Sequence, residues 1–71
     1  MPLKARQVAR ILEQHGFVLL PERGKGSHRV YRHAVTRRTT LPPWHGGGAD
    51  IQDSLLTRIA HQAGLATELF R

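Results

Sequence analysis

Two stretches of the chain carry apolar residues at helical spacing. Over residues 4–15 the apolar positions fall on one side and the charged positions mostly on the other, which predicts an amphipathic helix. Gly16 supplies its C-terminal stop, whereas residues 1–3 offer no side-chain N-cap. The apolar face consists of Ala5, Val8, Ile11 and Leu12.

The helical period returns at Ile51 and predicts a second helix that ends at Gly64. Asp50 or Asp53 is expected to cap its start, because a carboxylate accepts hydrogen bonds from the first free backbone N–H groups. One further turn is expected over residues 67–71, which would carry Leu69 and Phe70 into the core. The predicted stripe consists of Ile51, Leu55, Leu56, Ile59, Ala60 and Ala63.

Three short segments between the helices have the composition of β-strands. They are residues 17–22, 28–33 and 38–41, separated by a loop over residues 23–27 and a turn over residues 34–37. Connections this short favour antiparallel neighbours. The segment over residues 42–48 contains two prolines and three glycines, so we expect it to be irregular.

The predicted order is α-β-β-β-α, an α+β fold formed by a single domain over residues 1–71. Each helix has one apolar stripe, and one face of a three-stranded antiparallel sheet is the only surface large enough to cover both stripes. We therefore expect the two helices to pack on one face of the sheet. The other face, or the strand ends beside it, would then meet water or a partner.

Composition narrows the class of partner. Eleven Lys and Arg against five Asp and Glu leave a net charge of +6, which favours a polyanion, either a nucleic acid or an acidic protein. The chain has no cysteine, which is typical of a reducing cytoplasm. Its longest apolar run, residues 17–20, is too short for a membrane span or a signal peptide, so we expect a cytoplasmic chain without membrane association.

The segment GKGSHRVY, residues 24–31, combines groups that could act on RNA. Histidine is the side chain whose unperturbed pKa lies closest to neutrality, so His28 could exchange a proton with the RNA 2′-hydroxyl, which attacks the adjacent phosphate once deprotonated. Lys25, Arg29 and the loop N–H groups could stabilise the charge that the phosphate gains, and Ser27 could add a hydrogen bond. A turn or capping role for Ser27 and His28 fits these residues equally well.

An opening helix that runs into LEQHGFVLL is followed by GSHRVYRH, by LPPWHGGG and by a closing helix that ends in HQAGL, and together these pieces span nearly the whole chain. In their order and spacing the chain resembles the HicA toxin family, small bacterial mRNA interferases of type II toxin–antitoxin pairs. The resemblance implies a double-stranded-RNA-binding-domain-like fold, endoribonuclease cleavage of mRNA without a metal or other cofactor, a role in stress response, and inhibition by a HicB-type antitoxin protein.

The same resemblance assigns candidate residues. The family's functional histidine follows Gly-Ser at the head of the second strand and corresponds to His28, with Gly26 and Ser27 as its supporting turn. Two departures concern the local shape of the site. The usual Val-Pro-x-His pattern is here LPPWH, residues 41–45, and the usual Gly-Thr start of the second helix is residues 53–54, Asp-Ser.

Other candidates have competing interpretations. Four arginines could contact RNA phosphates or simply form a solvated hairpin surface: Arg29, Arg32, Arg37 and Arg38. His45 lies in the glycine-rich loop and could approach the same region or bind a phosphate, although an ordinary loop histidine is the simpler interpretation. Tyr31 and Trp44 could stack on bases or pack in the core. The spacing of the histidines does not favour a zinc site.

Three functions therefore compete. The first is a metal-independent ribonuclease that uses His28. The second is a non-catalytic RNA-binding module of the same fold, for which a basic face and shape recognition would be enough. The third is a small basic interaction protein whose polyanion is an acidic partner chain.

Overall fold

A computed structural model describes residues 3–20 and 29–70 of the 71-residue chain. The described elements, in chain order, are β1 (Leu3–Lys4), α1 (Ala5–Gln14), β2 (Phe17–Leu19), β3 (Tyr31–His33), β4 (Thr39–Thr40), β5 (Asp50–Ile51), α2 (Asp53–Ala63) and a final 3₁₀ turn (Thr67–Phe70). Neither α-helix in this part of the chain is long and apolar enough to cross a membrane.

The central sheet is a three-stranded antiparallel meander in the order β2-β3-β4. Its register places Val18 opposite Arg32 and Arg32 opposite Thr39, so these side chains share one face. The sheet hydrogen bonds continue beyond the strand ends, because the Leu20 N–H donates to the Val30 carbonyl at 2.8 Å. The predicted meander is confirmed, with regular strands shorter than the apolar pattern suggested.

Both helices pack on the other face of this sheet. Helix α1 lies against β2 and α2 lies against β4, and between them the side chains of Phe17, Tyr31 and Thr40 are buried. The opposite face leaves Val18 54% exposed. This is the α+β fold expected for a double-stranded-RNA-binding-domain-like chain. The buried apolar core is formed by Ala5, Val8, Leu12, Phe17, Tyr31, Ile51, Leu56, Ile59, Ala60, Ala63 and Phe70.

A second, two-stranded pairing joins the region before α1 to the region before α2. Antiparallel β1 and β5 place Leu3 opposite Ile51 and Lys4 opposite Asp50. Next to this pair, the backbone N–H of Ala5 donates to the Ala49 carbonyl at 2.8 Å. The sequence pattern did not predict β1 or β5, because a strand of two residues is too short to show a period-2 alternation.

The predicted start of the second helix is wrong in two respects. The helix begins at Asp53 rather than Ile51, since Ile51 and Asp50 belong to β5. Its N-cap residue is Gln52, without a side-chain capping bond, so neither predicted aspartate caps it. Asp53 instead lies in the first turn, where its negative charge interacts favourably with the helix dipole.

The predicted last turn is correct for one apolar residue and wrong for the other. Phe70 is buried in the core, whereas Leu69 is 38% exposed. The 3₁₀ turn over Thr67–Phe70 has three residues per turn, so two consecutive side chains point in different directions. Only one of them can therefore face the core. Gly64 ends α2 as predicted, in a left-handed conformation with φ of 71°.

Two buried hydroxyl groups differ in their hydrogen bonds, so we expect their removal to have different effects on the free energy of unfolding. The Thr40 hydroxyl donates to Oε1 of Gln62 at 2.8 Å, whereas the Tyr31 hydroxyl has no hydrogen-bond partner among the described residues. Thr40→Val should therefore lower the free energy of unfolding by about 1 kcal/mol, and Tyr31→Phe should leave it unchanged or raise it. Denaturant unfolding of both variants checks this. A loss above about 1 kcal/mol in Tyr31→Phe would show that its hydroxyl is bonded.

Candidate nucleic-acid interface

Four of the predicted site residues lie outside the described part of the chain: Lys25, Gly26, Ser27 and His28. The described structure resumes at Arg29, the residue bonded directly to His28 in the chain. The backbone N–H of Arg29 donates to the Pro42 carbonyl at 3.2 Å. This bond joins the start of the GSHRVYRH segment to the LPPWHGGG segment.

The side chain of Arg29 extends over Trp44. Its guanidinium carbon lies 3.5 Å from the centroid of the indole ring, which is a cation–π contact. Trp44 is half-buried and packs against the core. Of the two alternatives for Trp44, the structure supports a side chain that packs against the core, and the guanidinium of Arg29 stacks on its ring.

The backbone of the glycine-rich loop also lies close to Trp44. The Gly47 carbonyl accepts the backbone N–H of Arg6 at 3.0 Å and lies 3.5 Å from Arg6 Nη1. A β-carbon on Gly47 would lie 3.4 Å from Arg6 Cβ and 3.6 Å from Trp44 Cη2, so the loop backbone passes close to both side chains. No local pattern in the sequence predicts Arg6 at this place, because Arg6 is 41 positions from Gly47.

The other three arginines of the predicted cluster do not lie beside Arg29. Arg38 lies at the opposite end of the β3–β4 hairpin, where its carbonyl accepts the His33 N–H, and its side chain packs beside Gly64 at the C-terminus of α2. Four extended residues from 29 to 33 span about 13 Å, so the backbones at Arg29 and Arg38 lie at opposite ends of the hairpin. Arg37 is exposed in the hairpin turn, and Arg32 is half-buried beside Val18.

His45 follows Trp44 and is exposed. It has no hydrogen bond to another described residue in this structure, which is consistent with a histidine at the surface of the loop. Its place in the chain puts it next to the Arg29–Trp44 contact. His45 remains a candidate for phosphate contact on that ground.

The other described histidines have structural surroundings. His33 Nδ1 accepts the backbone N–H groups of Val35 and Thr36, each at 3.0 Å, and its ring packs edge-on against Phe17 with centroids 5.1 Å apart. His15 Nδ1 lies 2.9 Å from the Ile11 carbonyl at the end of α1. His61 is exposed in the last turn of α2.

The electrostatics of the described chain leave most cations unneutralised. In residues 3–20 and 29–70 one ion pair occurs, between Lys4 Nζ and Asp50 Oδ1 at 2.5 Å. The arginines of this part have no carboxylate within 4.0 Å in the described chain. Over the same residues, no three metal-ligating side chains approach one another closely enough to hold an ion.

An apolar groove of about 370 Å³ lies between the end of β4 and helix α2. Its polar side chains are those of Arg58 and Gln62, and Gln62 is already bonded to Thr40. The groove therefore offers neither a general base nor a nucleophile. The other lining residues are Leu41, Pro43, Leu55 and Ile59.

The fold, together with the cations that have no ion-pair partner among the described residues, defines a small basic α+β protein with a double-stranded-RNA-binding-domain-like architecture. The model of one protein family, described as HicA toxin of bacterial toxin-antitoxin, matches residues 5–65. This chain therefore belongs to the HicA toxin family, and its class is the toxin of a toxin–antitoxin system, which implies an antitoxin partner. A search of the curated proteins finds no match.

The contacts of His33 predict a structural rather than a catalytic effect of its removal. His33→Ala loses two hydrogen bonds to turn N–H groups and the edge-on contact with Phe17, which together should lower the free energy of unfolding by about 1–3 kcal/mol. His33→Asn should lose less, because the amide oxygen can accept the same N–H groups. Thermal unfolding of the three proteins measures this, and equal losses in both variants would contradict it.

Proposed function

We propose that this toxin is a metal-independent endoribonuclease that cleaves mRNA, with His28 as its general acid or base. The observation that carries the proposal is the family match over residues 5–65, which includes the Gly-Ser-His segment. The unpaired cations of the described chain support RNA as the substrate, because phosphates dominate the affinity of proteins for nucleic acids.

The proposed reaction uses a nucleophile that RNA itself provides. The imidazole of His28 takes the proton of the 2′-hydroxyl, and the 2′-oxygen forms a bond to the adjacent phosphorus. The bond from phosphorus to the 5′-oxygen breaks, and that oxygen takes a proton from the imidazolium or from water. No electron is exchanged with a cofactor, so proton transfer and charge stabilisation are the tasks left to the protein.

Charge stabilisation is assigned to the residues around His28. Arg29 follows His28 directly, and its guanidinium has no carboxylate partner among the described residues. Arginine binds phosphate oxygens through two parallel N–H donors, which suits the charge that develops on the phosphate. Lys25 and the turn at Gly26 and Ser27 are assigned to the same phosphate. Arg37, Arg38 and His45 are assigned to contacts with the RNA on either side.

The proposal predicts a large effect of one imidazole. His28→Ala should lower the rate of RNA cleavage in EDTA by about 10² to 10⁴-fold, the usual contribution of a general acid or base. His61→Ala is the matched control, because it removes an exposed imidazole from the last turn of α2. Cleavage of a labelled RNA by native protein and both variants measures the effect.

Three results would contradict all or part of this proposal. Equal cleavage by the native chain and His28→Ala would exclude a catalytic role for this histidine. Binding of RNA by the native chain without cleavage would favour the non-catalytic RNA-binding module instead. Absence of RNA binding at low salt would favour a basic protein that binds only an acidic partner.

We also infer that a HicB-type antitoxin with an acidic surface inhibits this toxin, because the basic surface proposed to bind RNA would attract it. An acidic surface over Arg29 would occupy the donors assigned to the RNA phosphate, so antitoxin and RNA should compete. Induction of the toxin alone should stop growth, and co-expression of the protein encoded beside its gene should restore it. A purified toxin–antitoxin complex that binds RNA as tightly as the free toxin would contradict this competition.

A further inference from the structure

Trp44 is the single tryptophan of the chain, and its ring is held by several parts of the fold. The indole packs partly against the core, and the backbone at Gly47 passes beside its six-membered ring. The guanidinium of Arg29 covers the ring at 3.5 Å from the centroid. A nucleobase could therefore stack on the face that Arg29 covers only by displacing the guanidinium.

Arg29 is fixed at both ends by this arrangement. Its backbone N–H donates to the Pro42 carbonyl, two residues before Trp44, and its guanidinium lies on the ring of Trp44. A guanidinium that stacks through its flat face keeps the N–H donors at its edge available. No carboxylate of the described residues lies within 4.0 Å of these donors.

We propose that Trp44 is a positioning residue for RNA binding, which holds the guanidinium of Arg29 so that its N–H edge binds a phosphodiester oxygen. The inference rests on the proposed function and names the chemical group, a phosphodiester oxygen of the RNA, that the guanidinium of Arg29 takes. An arginine on a flexible side chain loses rotamer entropy when it binds, and stacking on a fixed ring removes part of that loss before RNA arrives. Trp44 thus contributes to RNA affinity without touching RNA.

A double-mutant cycle tests whether Trp44 acts through Arg29. Binding of a single-stranded 2′-O-methyl RNA, which lacks the nucleophilic hydroxyl, separates affinity from cleavage. Trp44→Leu and Arg29→Gln should each weaken binding by about three- to tenfold, and the double variant should bind no more weakly than Arg29→Gln alone. Losses that add in the double variant, or native affinity in Trp44→Leu, would overturn the inference.

Control variants separate positioning from folding and from charge. Trp44→Phe keeps an aromatic face and should retain most of the affinity that Trp44→Leu loses. Arg58→Gln removes one positive charge from the exposed surface of α2 and should weaken binding by less than about twofold. Equal losses in Trp44→Phe and Trp44→Leu, or in Arg58→Gln and Arg29→Gln, would contradict a specific stack.

Fluorescence tests the stack itself in the absence of RNA. Because Trp44 is the single tryptophan, the emission of the chain reports its surroundings alone. Arg29→Gln should change the emission of the free protein, whereas Arg58→Gln should not. Unchanged emission in Arg29→Gln would overturn the inference while leaving the ribonuclease intact, and a native chain that binds no RNA would overturn both.

Discussion

The start of helix α1 is the point on which the rest of the structure depends. The first N–H groups of a helix have no partner within it. Here the N–H groups of Ala5 and Arg6 donate to the carbonyls of Ala49 and Gly47, and the Lys4 N–H donates to Oε1 of Gln7 at 2.7 Å. These bonds attach the glycine-rich loop to α1, and the loop in turn places Trp44 beside Arg29.

A second constraint is the excess of positive charge. A chain of 71 residues with a net charge of +6 gathers like charges on a small surface, which opposes compaction. The described part neutralises little of it internally, since its one ion pair joins Lys4 to Asp50. A polyanion would relieve the repulsion wherever it binds. The proposed RNA and the proposed acidic antitoxin therefore share one physical cause of attraction, and competition between them would be the simplest form of inhibition.

The elements that sequence predicts well are those with a local physical cause. The apolar stripes of both helices have a 3.6-residue period, and Gly16 and Gly64 end them because both adopt positive φ. The predicted capping role of Asp50 failed because a distant strand pairs with it and places its side chain beside Lys4. The prediction that Leu69 is buried failed because adjacent residues of a 3₁₀ turn cannot both face the core.

The sequence by itself determined the two amphipathic helices, the three-stranded meander between them, the excess of positive charge and the family, because charge, periodicity and motif order are properties of the chain alone. It also offered Arg29, among other cations, as a candidate for phosphate contact, and that role stays a prediction. Only the tertiary structure decided which groups accompany Arg29. In that structure Arg38 lies at the far end of the hairpin, Arg6 lies at the glycine-rich loop and Arg29 stacks on Trp44. These contacts join residues that are far apart in sequence, so they depend on packing that no local pattern encodes.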